Sequence, residues 1–141
     1  MMADDRGSVT TPFLKKMKYH VLTILLLALG VLQLEAQVVT ISPAEATVQL
    51  KKKRTVVLDV RTQQEYAEGH LPGAVNIDVL DSANFVKQIK TLKKRKQYLV
   101  YCRSGKRSLK ASEILINNKF KHIYNMEGGI QSWKGTLQIK N

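Results

Sequence analysis

Tyr98-Leu99-Val100-Tyr101-Cys102-Arg103-Ser104-Gly105-Lys106-Arg107-Ser108 is the stretch that decides the fold. With Gln97 in front, its first four residues form a run of β-formers long enough for a buried strand. The run then breaks into a loop holding the only cysteine of the chain, a glycine and three cations, and a helical pattern begins at Ser108. Strand, tight loop and helix N-terminus in that order turn backbone N–H groups inward and make an anion-binding cradle. A thiol at the mouth of such a cradle is expected to lose its proton easily, because the amide dipoles, the helix dipole and nearby Arg and Lys favour thiolate. A lone cysteine ending a strand is often only a small buried hydrophobe. Arg103, Gly105, Lys106 and Arg107 are the wrong company for a core filler, so Cys102 is the candidate nucleophile.

Outward from this stretch, strand and helix signals alternate. Residues 38–41 suit a short strand. Ser42-Pro43-Ala44-Glu45 is a capping box with proline at the first helical position, which predicts a helix to about Lys51. Residues 55–59 are a continuous apolar strand of the kind found in parallel sheets covered on both faces. Thr62-Gln63-Gln64-Glu65 is a second capping box, opening a helix that Gly69 closes. A turn at 71–74 leads to a strand at 75–77, and Phe85, Ile89 and Leu92 recur at helical spacing, which predicts a helix over 82–93. After the 97–101 strand come a helix over 108–117, a strand at 122–124, and a short helix through Trp133. Alternation of this kind predicts an α/β three-layer sandwich with a mainly parallel five-stranded sheet and helices on both faces. Such sheets bind ligands at the carboxyl ends of their strands, where Cys102 falls.

The 141 residues suffice for one domain with a proper core, and 44% apolar content fits a globular chain. A single cysteine excludes an intrachain disulfide and a cysteine-based metal framework, and His20, His70 and His122 lack ligand spacing. Neither a metal nor a cofactor is therefore expected. The net charge of +12 comes from 23 basic and 11 acidic residues, with two runs at 51–54 and 93–96. No aromatic residues interleave with those runs, so no nucleic-acid partner is expected, and the positive field is read as a means of concentrating small anions. Residues 1–36 read as a segment apart from the domain at 37–141. Lys15, Lys16 and Lys18 precede an uncharged apolar stretch over 21–34, with Ala36 at a cleavage position, which is the outline of a secretory signal. Leu34 occupies a position where a small residue is preferred, so an uncleaved membrane anchor stays open beside export to the periplasm or exterior, and Met17 stays open beside Met1 as the start.

Cys102-Arg103-Ser104-Gly105-Lys106-Arg107-Ser108 resembles the active loop of the rhodanese (sulfurtransferase) family. Leu58-Asp59-Val60-Arg61, Glu65-Tyr66, Gly69-His70-Leu71-Pro72-Gly73-Ala74 and Asn76 resemble its N-terminal signature, and Glu127-Gly128-Gly129-Ile130 with Trp133 its closing segment. The resemblance implies a rhodanese-like fold and sulfur transfer through a Cys102 persulfide, from a small anionic donor such as thiosulfate to a thiol or cyanide. It makes Arg103, Ser104, Gly105, Lys106, Arg107 and Ser108 the substrate-binding loop. Backbone amides from Arg103 to Ser108 stabilise anionic sulfur, Gly105 lets the loop close, the three cations attract the donor, and Ser108 caps the helix as well as lining the loop. Relatives acting on phosphate or arsenate carry a loop one residue longer, which makes such chemistry a distant second. Lys106 and Arg107 depart from the loops of the well-known subgroups, which leaves the donor open.

Asp59, Arg61 and Trp133 are supporting residues. Asp59 pairs with Arg61, or Arg61 with Glu65, as an exposed strand-end scaffold. Trp133 either lines the pocket rim or anchors the core. His70 precedes a Pro-Gly turn and is read as structural. Two function classes follow: a monomeric sulfurtransferase working outside the cytoplasm, or a rhodanese-like module that binds an anion or a partner without turnover. A membrane enters only if the N-terminal segment is retained.

Overall fold

The computed structural model describes residues 12–30 and 36–139, and the chain separates into two compact units, Met1–Glu35 and Ala36–Asn141. The first contains helix α1 (Pro12–Gly30). Part of the apolar stretch read as a leader, including Leu34, lies outside the described residues. The second unit holds strands β1 (Val38–Ile41), β2 (Thr55–Asp59), β3 (Val75–Asn76), β4 (Gln97–Tyr101) and β5 (His122–Met126). Between them run helices α2 (Pro43–Leu50), α3 (Gln63–Glu68), α4 (Ser82–Ile89) and α5 (Lys106–Asn117), and a 3₁₀ turn at Gly129–Ser132 follows β5.

The five strands form one sheet in the order β1-β5-β4-β2-β3, and every pairing within it is parallel rather than mainly so. The helices that return the chain between strands produce this, because each crossover brings the next strand in with the same direction. Alternate residues of the central strand serve two cores. Tyr98, Val100 and Cys102 face α4 and α5, among Leu58, Phe85, Ile89, Ala111 and Leu115. Leu99 and Tyr101 face the other layer, with Val57, Ala46 of α2 and half-buried Tyr66 of α3. The three-layer sandwich is thus present, built from a period-two strand between two helical layers.

Both capping boxes form. Ser42 and Thr62 each accept from the amide three residues on, and Glu45 and Glu65 reach back to the cap residues. Several boundaries differ from expectation. Helix α4 stops at Ile89 instead of continuing to 93, and residues 91–93 turn toward the Lys-rich run, leaving Leu92 half-buried against the core. Strand β5 continues to Met126 because Asn125 and Met126 still pair with β1. The helix expected before Trp133 is a single 3₁₀ turn.

The Asp59–Arg61 pair is buried, not exposed. Both residues are nearly solvent-free, and Arg61 Nη2 donates to Asp59 Oδ2 at 2.6 Å and to the Gly69 carbonyl at 2.7 Å. The Tyr101 hydroxyl donates to Asp59 Oδ2 at 2.5 Å and accepts from the Leu71 amide at 3.0 Å. The signal for an ion pair was in the sequence; its burial follows from the turn over 69–74, which folds across the end of β2. Burial and the adjacent carboxylate push the Tyr101 phenol far up, so it stays a neutral donor. Removing one partner of a buried pair leaves an uncompensated charge, so Asp59→Ala is expected to cost about 3–5 kcal/mol and Tyr101→Phe about 1–3 kcal/mol in urea unfolding.

Candidate active site

Cys102 follows β4 directly, and the chain reverses through Arg103, Ser104 and Gly105 into α5. Gly105 is the residue at the helix start, with φ of 100°, a backbone state that other residues seldom adopt. The helix therefore begins at Lys106, two residues before the position expected, and Ser108 is not its cap. Instead Ser108 Oγ lies 3.0 Å from the Gly105 carbonyl and 3.4 Å from Cys102 Sγ. The Gly105 amide donates to Sγ at 3.1 Å. Sulfur thus stands within a ring of donors at the first turn of a helix.

Cys102 is 1% exposed and belongs to the apolar cluster beneath α4 and α5. Burial by itself pushes its thiol up. The Ser108 hydroxyl and the amides of Ser108, Gly105 and Ser104 outweigh that effect and hold the thiol below its ordinary value. Hydrogen-bond donors, rather than the loop's cations, are the leading support for thiolate here.

The loop is held from behind by the segment after β5. The Ile130 amide donates to the Cys102 carbonyl at 2.9 Å and the Gln131 amide to the Arg103 carbonyl at 3.2 Å. At Gly129 a β-carbon would come within 2.5 Å of both carbonyl oxygens, so only glycine lets this backbone approach. In the sequence Gly128-Gly129 belongs to the segment that resembles the family's closing signature, and two adjacent glycines just past a strand are the local signal for a close approach.

The structure divides the expected site residues into groups. Gly105, Ser108 and the backbone of Ser104 converge on the Cys102 sulfur, while Arg103, Ser104 and Lys106 are exposed residues. Arg107 turns to Glu65, donating to both carboxylate oxygens at 2.8 and 2.7 Å. The sequence offers Glu65 as a capping-box residue, as part of the N-terminal signature and as an alternative partner for Arg61. The structure pairs Arg61 with Asp59 and Glu65 with Arg107, and nothing local ties position 65 to position 107. The Arg107 guanidinium, with Thr62, holds the Glu65 carboxyl at about 2. Asp59 and Arg61 join the site indirectly, through Tyr101, the residue before Cys102. Trp133 is half-buried against the α2–α3 core and donates from Nε1 to the Thr136 carbonyl at 3.3 Å. His70 is buried, stacked on Tyr66, with Nδ1 2.9 Å from the Tyr66 carbonyl. A cleft of about 640 Å³ beside β3, lined by Tyr66, Asn76, Asp78 and Asp81 among others, includes no residue of the cysteine loop. Among the described residues no cluster of His, Cys, Asp and Glu could hold a metal.

Residues 42–136 match the family described as the rhodanese-like domain. The chain is 40% identical over 85 residues to the putative sulfurtransferase YtwF of Bacillus subtilis, spanning 60% of this chain and 79% of that one. It is 32% identical over 94 residues to the thiosulfate sulfurtransferase GlpE of Pseudomonas fluorescens, spanning 67% and 84%. Similarity at 37% extends to the tRNA uridine(34) hydroxylase of Buchnera aphidicola, but over only 26% of that protein. The crystal structure of a rhodanese-like domain protein from Staphylococcus aureus superposes with a TM-score of 0.64 at 30% identity, covering 73% of this chain and 99% of that one.

Two outcomes follow from the geometry. The thiolate absorbance of Cys102 should appear at a lower pH than that of an ordinary thiol, and Ser108→Ala should move its midpoint upward. The folded Glu65 carboxyl lies below its unfolded value of 4.5, so its stabilisation is complete above that pH and is lost as pH falls toward about 2. Glu65→Gln should cost about 1.5–3 kcal/mol at neutral pH and flatten the urea stability profile across that acid window.

Proposed function

The chain belongs to the rhodanese-like domain family, and on that premise we propose that it is a sulfurtransferase that carries sulfane sulfur on Cys102. The observation that carries this reading is the set of donors on Sγ: the Gly105 amide at 3.1 Å, the Ser108 hydroxyl at 3.4 Å and the neighbouring amides. They stabilise a negative charge on sulfur, and none of them is a strong acid that would quench it.

In the proposed reaction the Cys102 thiolate attacks the outer sulfur of thiosulfate. The S–S bond of the donor breaks and sulfite leaves with the electron pair, which leaves Cys102–S–S⁻. A thiolate acceptor, or cyanide, then attacks the outer sulfur and departs as a persulfide or thiocyanate, and the Cys102 thiolate is restored. The amides keep their direction throughout, so little reorganisation is needed as charge moves from one sulfur to the next. The enclosure of Cys102 suits a donor that presents a single terminal sulfur atom. With Arg107 engaged by Glu65, Arg103 and Lys106 are the loop cations left to meet the donor's charged end. Similarity to a thiosulfate sulfurtransferase supports thiosulfate as the donor class.

The leader-like sequence supports work outside the cytoplasm, either as an exported domain or held by a retained N-terminal segment. Among the described residues no helix is long and apolar enough to cross a membrane. Cell fractionation should find the protein in the periplasm, medium or membrane fraction; recovery in the cytoplasm overturns that assignment.

Treatment with thiosulfate should add the mass of one sulfur at Cys102, reversed by dithiothreitol. Cys102→Ser should reduce transfer to background while the domain stays folded. An unmodified mass with thiosulfate and other sulfane donors would assign the loop to anion or partner binding without turnover.

A further inference from the structure

The end of the sheet away from Cys102 carries a concentration of charge that sulfur transfer does not use. Because β2, β4 and β5 are parallel neighbours, Thr55, Gln97 and His122 stand in register. The residues leading into those strands are therefore brought to one pole, with adjacent strands about 4.8 Å apart. These are the runs 51–54 and 93–96 together with Lys90, Lys119 and Lys121: nine lysines and two arginines. All are exposed except Lys96, which is half-buried. No Asp or Glu lies between residues 46 and 58, between 82 and 112, or between 114 and 126. Among the described residues, none of these cations is in a salt bridge.

Helix ends explain only part of this. The C-termini of α2 and α4 point to the same pole, and Lys51 and Lys90 are their terminal cap residues. The dipole acts within about one turn, which leaves Lys52, Lys53 and Arg54 and the whole 93–96 run without that explanation. Steering of small anions to Cys102, the role expected from the sequence, does not explain it either. The six residue steps along β4 put about 20 Å between Lys96 and Cys102, more than twice the screening length of about 8 Å at physiological salt.

We propose that this pole docks on an anionic lipid bilayer. Lysine predominates, as suits diffuse attraction to headgroups more than forked recognition of a fixed phosphate. The aromatic residues nearest the runs, Tyr98 and Phe120, are buried, so among the described residues no platform for stacking bases lies there. The chain also enters the sheet at this pole, since Val38 opposes Ile123 at the start of β1. An apolar segment retained before Ala36 would tether this end of the domain, and one apolar signal plus a basic patch is the usual pair needed for stable membrane attachment. The Cys102 loop, at the opposite end of the strands, then faces solvent and its substrates.

The full chain, titrated with phosphatidylcholine vesicles containing about a third phosphatidylglycerol, should bind them more tightly than pure phosphatidylcholine, with the preference fading as salt rises. Each cation is worth about fivefold, so Lys53→Glu/Arg95→Glu should weaken binding to the anionic vesicles by roughly 25-fold or more. Lys110→Glu/Lys134→Glu changes the net charge equally and should leave that binding within about threefold, with both variants folded by circular dichroism. Equal binding by the parent and the Lys53→Glu/Arg95→Glu variant overturns the proposal and assigns attachment to the N-terminal segment alone. Transfer RNA bound more tightly than the vesicles, and lost in the same variant, overturns it in favour of nucleic acid.

Discussion

The amide of Gly105 donating to Cys102 Sγ is the contact on which the site depends. It exists because Gly105 takes a positive φ, which aims the backbone inward just as α5 begins. A side chain at that position would be strained by the left-handed φ, although a β-carbon would find room, its nearest neighbour being the Gly128 amide nitrogen at 3.4 Å. The same turn makes the first helical amides available, since the opening turn of a helix has no internal acceptors for them. An otherwise apolar burial is thereby converted into a place where anionic sulfur is stable.

The rest of the domain keeps that turn in place. Gly129 lets the segment after β5 press against the carbonyls of Cys102 and Arg103, and the Ile130 and Gln131 amides bind them. On the other side, Tyr101 ties the end of β4 to Asp59 and Leu71, and Arg61 extends the tie to Gly69. Glu65 holds Arg107 from a third direction. The loop is thus clamped by three elements far apart in sequence, which suits a site whose donors must not swing during reaction.

A parallel sheet gives the domain two unlike ends. Strand C-termini and helix N-termini meet at the Cys102 loop, where amides gather around sulfur. Strand N-termini and helix C-termini meet at the other end, where the lysine runs collect. The polarity of one motif, repeated without reversal, separates the chemistry from the charge by the length of a strand.

The sequence by itself determined most of the architecture, because the signals are local. Two capping boxes, an apolar run at 55–59, helical spacing in α4 and the strand–loop–helix around Cys102 are each short patterns whose physics is complete within a few residues. The same locality marked Cys102, Gly105 and Ser108. Only the tertiary structure decided what depends on residues distant in the chain: that Arg107 is bound to Glu65, that the Asp59–Arg61 pair is buried under a turn, and that Gly129 backs the loop. It also moved the start of α5 to Lys106, where Gly105 at positive φ opens the helix and Ser108 Oγ sits beside the Gly105 carbonyl and Cys102 Sγ instead of capping it. Separate basic runs became one pole for the same reason: strand register is a property of the sheet, and no single strand contains it.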